Sequence, residues 1–222
     1  MPIRQSYGDH GDACRAANAL DLVGDRWSLI VVRELILGPK RFADLQESVR
    51  GITPAVLTDR LRSLRQAGIV DHVVLTDLAR TPAYVATEWG RGLEQVLGSL
   101  GRWYSAGPDP GTKGGMTPDA VVVAMRTMAP PVRATVPPVV LHLHDRRDAR
   151  RAGPPVHSFH TVTDGGAVHV RTGTIANPAA TVTADSTTWC GILFEGVDLD
   201  AADIDGDRAA VASIVALYTP PV

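Results

Sequence analysis

Two cysteines, Cys14 and Cys190, are all that the 222 residues contain. They make no framework of spaced half-cystines, so a reducing cytoplasm is the expected setting. No apolar run approaches the roughly 18–20 residues that span a bilayer. The opening stretch MPIRQSYGDHGDACR lacks the apolar core of a signal peptide. Net charge is nearly absent: 22 Lys and Arg stand against 24 Asp and Glu, a formal charge of −2. No overall basic field therefore announces nucleic acid. The sequence also lacks a nucleophile elbow, a phosphate loop, a zinc-protease motif and any internal repeat. The reading is a protein that is not an enzyme, carries no cofactor and does not engage a membrane.

Global balance hides a local asymmetry. Residues 40–65 hold Lys40, Arg41, Arg50, Arg60, Arg62 and Arg65 against only Asp44, Glu47 and Asp59. The same window contains GITPAVLTDRLRSLRQAGIV, residues 51–70. Thr53 is placed to N-cap a helix there, with Pro54 at its first position, where a missing N–H costs nothing. At 100° per residue, Leu57, Leu61 and Leu64 fall within about 60° of one another and form a core stripe. Ala55, Thr58, Asp59, Arg62 and Arg65 fall on the other side.

The surrounding pattern gives that free face a meaning. Residues 13–37 read as helix in two pieces, broken at Gly24-Asp25, with Asp25 capping the second piece and Gly38-Pro39 ending it. RFADLQES, 41–48, reads as a short helix with Phe42 and Leu45 inward. After Gly68, two β-rich runs holding Val74, Leu75, Tyr84 and Val85 flank a polar tip at 76–81. Thr87 then caps a helix over 88–104 with Leu93, Val96, Leu97, Leu100, Trp103 and Tyr104 at helical spacing. This order predicts a winged helix-turn-helix. Its small N-terminal end, Thr53 to Thr58, suits base contact, and Arg62, Arg65 and Arg41 suit phosphates. Arg80, at the hairpin tip, is placed like a wing residue.

Cys14, ALDLVGDRWSLIVVRELILGPKRFADLQ at 19–46 and the 51–70 segment together resemble the HxlR family of bacterial winged-helix regulators. The resemblance covers residues 14–104. It implies a homodimer on a palindromic or inverted-repeat operator in double-stranded DNA, with residues 88–104 and the N-terminal helix at the dimer interface. Trp89, in Thr87-Glu88-Trp89-Gly90, departs mildly from the family pattern and is a candidate to pack on the wing or the second domain. The wing also lacks the usual run of basic residues. In several relatives a cysteine matching Cys14 senses oxidants or electrophiles, and Arg15 beside it could lower its pKa. The alternative is a buried small residue that packs the N-terminal helix.

SAGPDPGTKGGMTP, 105–118, is rich in Gly and Pro and almost free of hydrophobes, the composition of a linker. The expected boundaries are a first domain at 1–106, a linker at 107–118 and a second domain at 119–222. The second domain opens with a helix at 119–128. β-like runs follow at 139–144, 157–162, 166–172 and 180–185, with a turn at Asp164-Gly165-Gly166, and then helices near 186–195 and 207–217. Its last part, 177–218, resembles the sterol carrier protein-like domain. There a strand ends in a helix cap (Ala184-Asp185-Ser186), and another ends in Gly206-Asp207 before the final helix. That resemblance implies an α+β layer with an apolar pocket, lined here by Phe159, Trp189, Leu193 and Phe194. The alternative for each of these four is plain core packing.

His142 and His144 share a strand face, but no completing ligand gives a zinc spacing, and no metal is expected. The run Asp198, Asp200, Asp203, Asp205, Asp207 fails the calcium-loop pattern and reads as a solvated edge. The resulting fold class is α+β: a winged helix-turn-helix followed by a second α+β domain. The expected function is a repressor-type regulator relieved by a small hydrophobic effector. Two alternatives stand beside it: a thiol switch through Cys14, and a lipid-carrier or enzyme domain fused to a dimerisation scaffold.

Overall fold

The computed structural model describes residues 6–76, 80–108, 114–132, 134–148 and 153–218. The chain divides into two compact units, Met1–Leu97 and Gly98–Val222. Residues 109–113, inside the expected linker, lie outside the described ones.

The first unit starts with α1 (Arg15–Val23) and α2 (Ser28–Arg33). Asp25 separates them as expected. Its carboxylate accepts from the amides of Trp27, at 2.8 Å, and Ser28, at 3.2 Å, and pairs with Arg60 of the later helix at 3.2 Å. Burial raises the Asp25 carboxyl. The Ser28 hydroxyl, the Trp27 amide and Arg60 outweigh it and hold the group below its ordinary value. Its contribution to stability is therefore complete above pH of about 4, the ordinary carboxylate range, and is lost as pH falls below that. Asp25→Ala is expected to cost about 1–2 kcal/mol near neutrality. The Tm gap to the parent should narrow as the pH is lowered through 4 to 3. A gap that stays constant to pH 3 would contradict this role.

One expectation is corrected here. The second helix stops at Arg33 rather than running to Gly38. Leu35 N already bonds Val32 O in a tightened turn. Glu34, fully buried, accepts from Arg33 and from Lys40 Nζ, each at 2.9 Å. A buried carboxylate needs both cations close by, and the chain turns to supply them.

α3 (Phe42–Ser48) and α4 (Pro54–Gln66) follow, then β1 (Val70–Val74) and β2 (Pro82–Ala86), an antiparallel pair. Gly68, at φ +73°, provides the left-handed step that ends α4. The expected single helix at 88–104 is two: α5 (Glu88–Arg91) and α6 (Leu93–Ser105). Thr87 caps the first by accepting from Gly90 N at 3.0 Å, and the break falls at Gly92.

The second unit holds the remainder of α6, then α7 (Pro118–Met128), β3 (Val139–His144), β4 (Val156–Asp164), β5 (Ala167–Thr172), β6 (Ala180–Asp185), α8 (Ser186–Phe194), β7 (Asp203–Gly206) and α9 (Arg208–Val215). The sheet order is β5-β4-β3-β6-β7. β3 and β6 run parallel and every other pair is antiparallel. Period-2 alternation splits the sheet. Val139, Leu141, Leu143, Phe159, Val170 and Val182 share one buried face, against which α7, α8 and α9 pack. The opposite face carries His142, Ser158, His160, His169, Thr183 and Asp203 by the same register. α7 is buried over nearly its whole circumference, as a central helix must be.

Candidate nucleic-acid interface

α4 is held by its apolar side and free on the other. Leu57, Leu61 and Leu64 are buried, whereas Thr53, Pro54, Ala55, Thr58, Asp59, Arg62 and Arg65 are all exposed. Thr53 Oγ1 accepts from Val56 N at 3.3 Å, and Pro54 sits at the first helical position, so this end of the helix has its orphan donors partly satisfied. The Thr58 hydroxyl donates to Pro54 O at 2.8 Å, which commits its proton and leaves its oxygen as an acceptor. Arg62 pairs with Asp59 at 2.8 Å, one turn away. Both side chains are more than half exposed, so this pair is worth little and can be exchanged for a phosphate. Arg65 makes no ion pair among the described residues.

The wing is anchored at its base. Lys40 and Tyr84 exchange backbone hydrogen bonds of 2.9 and 2.8 Å, tying the turn before α3 to β2. His72 packs edge-on against Tyr84 at 5.2 Å. Arg41 is exposed at the start of α3. Arg80 is exposed near the hairpin tip at φ +46°, a left-handed conformation uncommon for a long side chain. The rest of the tip, residues 77–79, lies outside the described residues.

Sequence reasoning missed what two of the cations do. Lys40 is drawn to buried Glu34, and Arg60 to Asp25. Only the burial of Glu34 could have revealed the first, and the Asp25–Arg60 pair spans 35 positions.

The HxlR-like helix-turn-helix family matches residues 22–110. The HTH-type transcriptional regulator YodB of Bacillus subtilis is 33% identical over 94 residues, which cover 42% of this chain and 84% of YodB. The chain belongs to the HxlR-like helix-turn-helix family. A further relative, the HTH-type transcriptional regulator Rv3095 of Mycobacterium tuberculosis, is 38% identical over 85 residues, covering 38% of this chain and 53% of its own length. The solved reduced form of YodB covers 46% of this chain and 100% of its own, at 31% identity and a TM-score of 0.41.

Two other features of this HxlR-family chain bear on function. Cys14 is exposed at the N-cap of α1, which removes the expectation of a buried packing residue. The backbone amides of Ala17 and Ala16 hold its thiol below the ordinary value. The cause is thus the helix start and not the Arg15 side chain. α6 carries exposed Val96, Leu100, Trp103 and Tyr104, and α1 carries exposed Leu20 and Leu22. Trp89 is 61% exposed, so the expected packing of its ring on the wing is not seen. Trp103, Tyr104, Ala106, Gly107 and Pro108 border a shallow apolar hollow.

In the second unit, Phe159, Trp189 and Leu193 are buried, and Phe194 is half-buried, edge-on to Tyr218 at 5.5 Å. His142 Nδ1 lies 2.9 Å from Ser158 Oγ, and His160 Nδ1 donates to Gly173 O at 3.0 Å. Among the described residues no group of three or more His, Cys, Asp or Glu is arranged to hold a metal ion. No described helix is long and apolar enough to cross a membrane.

Proposed function

We propose that the chain is a homodimeric transcriptional regulator that binds an inverted-repeat operator through α4, and that its second unit takes a small hydrophobic effector. The observation that carries the DNA-binding part is the division of α4: three leucines buried, and the whole face from Thr53 to Arg65 exposed beside an anchored wing. The end from Thr53 to Thr58 has no long side chains to keep it from base edges. Arg62, Arg65, Arg41 and Arg80 surround it as phosphate ligands.

A gel shift on the DNA upstream of the protein's own reading frame tests this. Binding should weaken steeply with salt, because each phosphate contact releases counterions. Arg65→Ala is expected to lower the slope of log K against log[salt] by about 1 and to weaken all sequences alike. Arg62→Ala should lower it by less, since Asp59 already neutralises that guanidinium. A protein with no salt-dependent DNA binding would favour the alternative of a carrier or enzyme domain on a dimerisation scaffold.

The homodimer reading is supported by the apolar stripe on α6. Leu93, Val96, Leu100 and Trp103 recur at spacings of three and four, the pattern of a helix that packs on another helix. Exposed contiguous apolar surface of this kind marks an interaction site. The effector reading is supported by the arrangement of the second unit: a five-stranded sheet with helices on one face, α8 capped by Asp185 and α9 capped by Asp207. Phe159, Trp189, Leu193 and Phe194 are the candidate lining on this reading. Occupancy of that unit would alter the separation of the two α4 helices, which must match half-sites about 34 Å apart.

A second reading has its own observation. Cys14 is solvent-exposed, with two helix-start amides stabilising its thiolate. Such a thiol suits oxidant or electrophile sensing. Cys190 provides the internal contrast, because burial pushes its thiol up to about 11, with Glu195 adding to the rise. Iodoacetamide at pH 8 should label Cys14 at least about tenfold faster than Cys190, followed by mass spectrometry of the digested protein. Equal rates would sink the sensing reading, as would full alkylation that leaves operator binding untouched.

A further inference from the structure

The helices α7, α8 and α9 occupy one face of the second unit's sheet, and the strand register sets out the other face in rows. One row crosses all five strands: Arg171 on β5, His160 on β4, Val140 on β3, Thr181 on β6 and Asp205 on β7. The next row runs Ser158, His142, Thr183 and Asp203. Arg171, Thr183, Asp203 and Asp205 are exposed, and His142, Ser158, His160 and Thr181 are half-buried. Val140, at the centre between His160 and Thr181, is buried. The face therefore carries a cation at one edge, two carboxylates at the other and no carboxylate or guanidinium between them in these rows. Its edges, β5 and β7, are four strand spacings apart, about 19 Å.

The edge charges are not answered within the unit. Nearby Asp198 and Asp200 pair with Arg208. Arg171, Asp203 and Asp205 make no ion pair among the described residues. A face with opposite charges at opposite edges complements itself under one of its two in-plane two-fold axes. The axis along the strands lays β5 of one copy over β7 of the other. Arg171 then meets Asp205, His160 meets Thr181, and Val140 meets its own counterpart. The axis across the strands lays β5 over β5, which sets guanidinium on guanidinium and carboxylate on carboxylate. Like-charge contact rejects that second arrangement. Packed sheets cross at about 30°, which displaces the edges by about 5 Å and brings Asp203 within reach of Arg171 as well. His160 suits its place in the row. Its Nδ1 donates to Gly173 O at 3.0 Å, so the neutral ring leaves Nε2 to accept from the Thr181 hydroxyl of the other copy.

We infer that this open sheet face is an interface for the same face of a second copy of this chain, with Arg171 of each copy on Asp203 and Asp205 of the other. The inference rests on the homodimer reading above. Five short strands offer on the order of 400 Å² per copy, short of the roughly 800 Å² per partner of a stable interface. The α6 contact makes up the difference by holding the second copy at high effective concentration.

The test keeps the charges in place and uses the whole chain. Arg171→Lys puts an amine where the guanidinium stands. A carbodiimide couples an amine to a carboxylate in contact with it, forming an amide and taking up the water released. The two edges of one sheet are too far apart to be joined, so an amide between position 171 and Asp203 or Asp205 links two chains. The expected result is a band of doubled mass on a denaturing gel, in which peptide mass spectrometry finds position 171 coupled to Asp203 or Asp205. Its yield should fall at least about threefold in 1 M salt, where charges are screened within about 3 Å. Adding Asp203→Asn and Asp205→Asn should remove it. Sedimentation velocity on the parent separates the two ways of failing. A dimer that gives no such amide overturns the sheet-face interface and leaves the homodimer reading standing. A monomer that gives none overturns both. A doubled-mass band coupled only at other positions overturns the sheet-face interface, as does a yield that neither salt nor the asparagine substitutions lower.

Discussion

Leu100→Glu is expected to convert the protein from dimer to monomer and to lower its affinity for a two-half-site operator by about 10²–10⁴-fold. Leu100 is 45% exposed on α6, between Val96 and Trp103, themselves 43% and 74% exposed. A glutamate there places a charge in the middle of an apolar stripe, and in the proposed dimer two-fold symmetry would bring it against the same stripe of the partner. Folding of each chain should be nearly untouched, because the side chain contributes little to the interior of its own chain. Operator affinity falls because a dimer presents its second α4 at high effective concentration once the first is bound. Sedimentation velocity at micromolar protein reads the assembly, and fluorescence anisotropy on labelled operator reads the binding. A Leu100→Glu protein that remains dimeric would move the interface elsewhere. A monomer that holds the operator as tightly as the parent would remove the reason for two-fold sites.

The second large effect is on stability. Gly90 lies in α5, directly over the backbone of Ile69 at the entrance to β1. A Cβ at this position would lie 2.0 Å from Ile69 O, far inside contact distance. That carbonyl cannot retreat, because it accepts from Thr87 N at 3.0 Å and from the Thr87 hydroxyl at 3.2 Å. Gly90→Ala must therefore push α5 off the hairpin and break the Thr87 cap, which reaches Gly90 N. The cost should be about 3 kcal/mol or more, a fall in Tm on the order of 10–20 °C for a unit of this size. Thermal melts followed by circular dichroism check this. A loss below about 1 kcal/mol would show that the approach of α5 to β1 is soft. Trp89 and Gly90 are neighbours in sequence, yet the fold constrains the glycine and leaves the tryptophan exposed.

Legibility followed the range of the signal. Caps written within three residues of the helix they start were readable: Thr53, Thr87 and Asp185 all accept from amides of the first turn. The strands at 139–144 and 180–185 were readable to the residue, because apolar and polar positions alternate between definite ends. The early end of α2 was not readable, because its cause is a buried carboxylate shared by Arg33 and Lys40. Nor was the break at Gly92, since the apolar period of 88–104 runs through it undisturbed. Of the interface residues, the exposed face of α4 could be derived from the leucine spacing alone. The Arg62–Asp59 and Arg60–Asp25 pairs could not, since a side chain's partner depends on rotamer and tertiary contact. The thiol environment of Cys14 had the right residue and the wrong cause: two amides act on it where the neighbouring guanidinium was the obvious suspect.

The pairing of the cations has a kinetic consequence. Of the six basic side chains in the window that first suggested DNA, Lys40 and Arg60 are committed within the fold and Arg62 arrives with Asp59 attached. With Lys40 and Arg60 held inside the fold, fewer cations remain for the phosphates, and contact with any stretch of backbone is expected to be weak and brief. Non-cognate sites outnumber the operator by roughly 10⁶–10⁹ to one in a genome, so time lost on each of them sets how fast the right one is found. On the proposed reading, short dwell on the wrong sequence would leave recognition to the base edges facing Thr53–Thr58 and to the fit of two half-sites at once. The modest charge of this regulator thus favours rapid search over a tight grip.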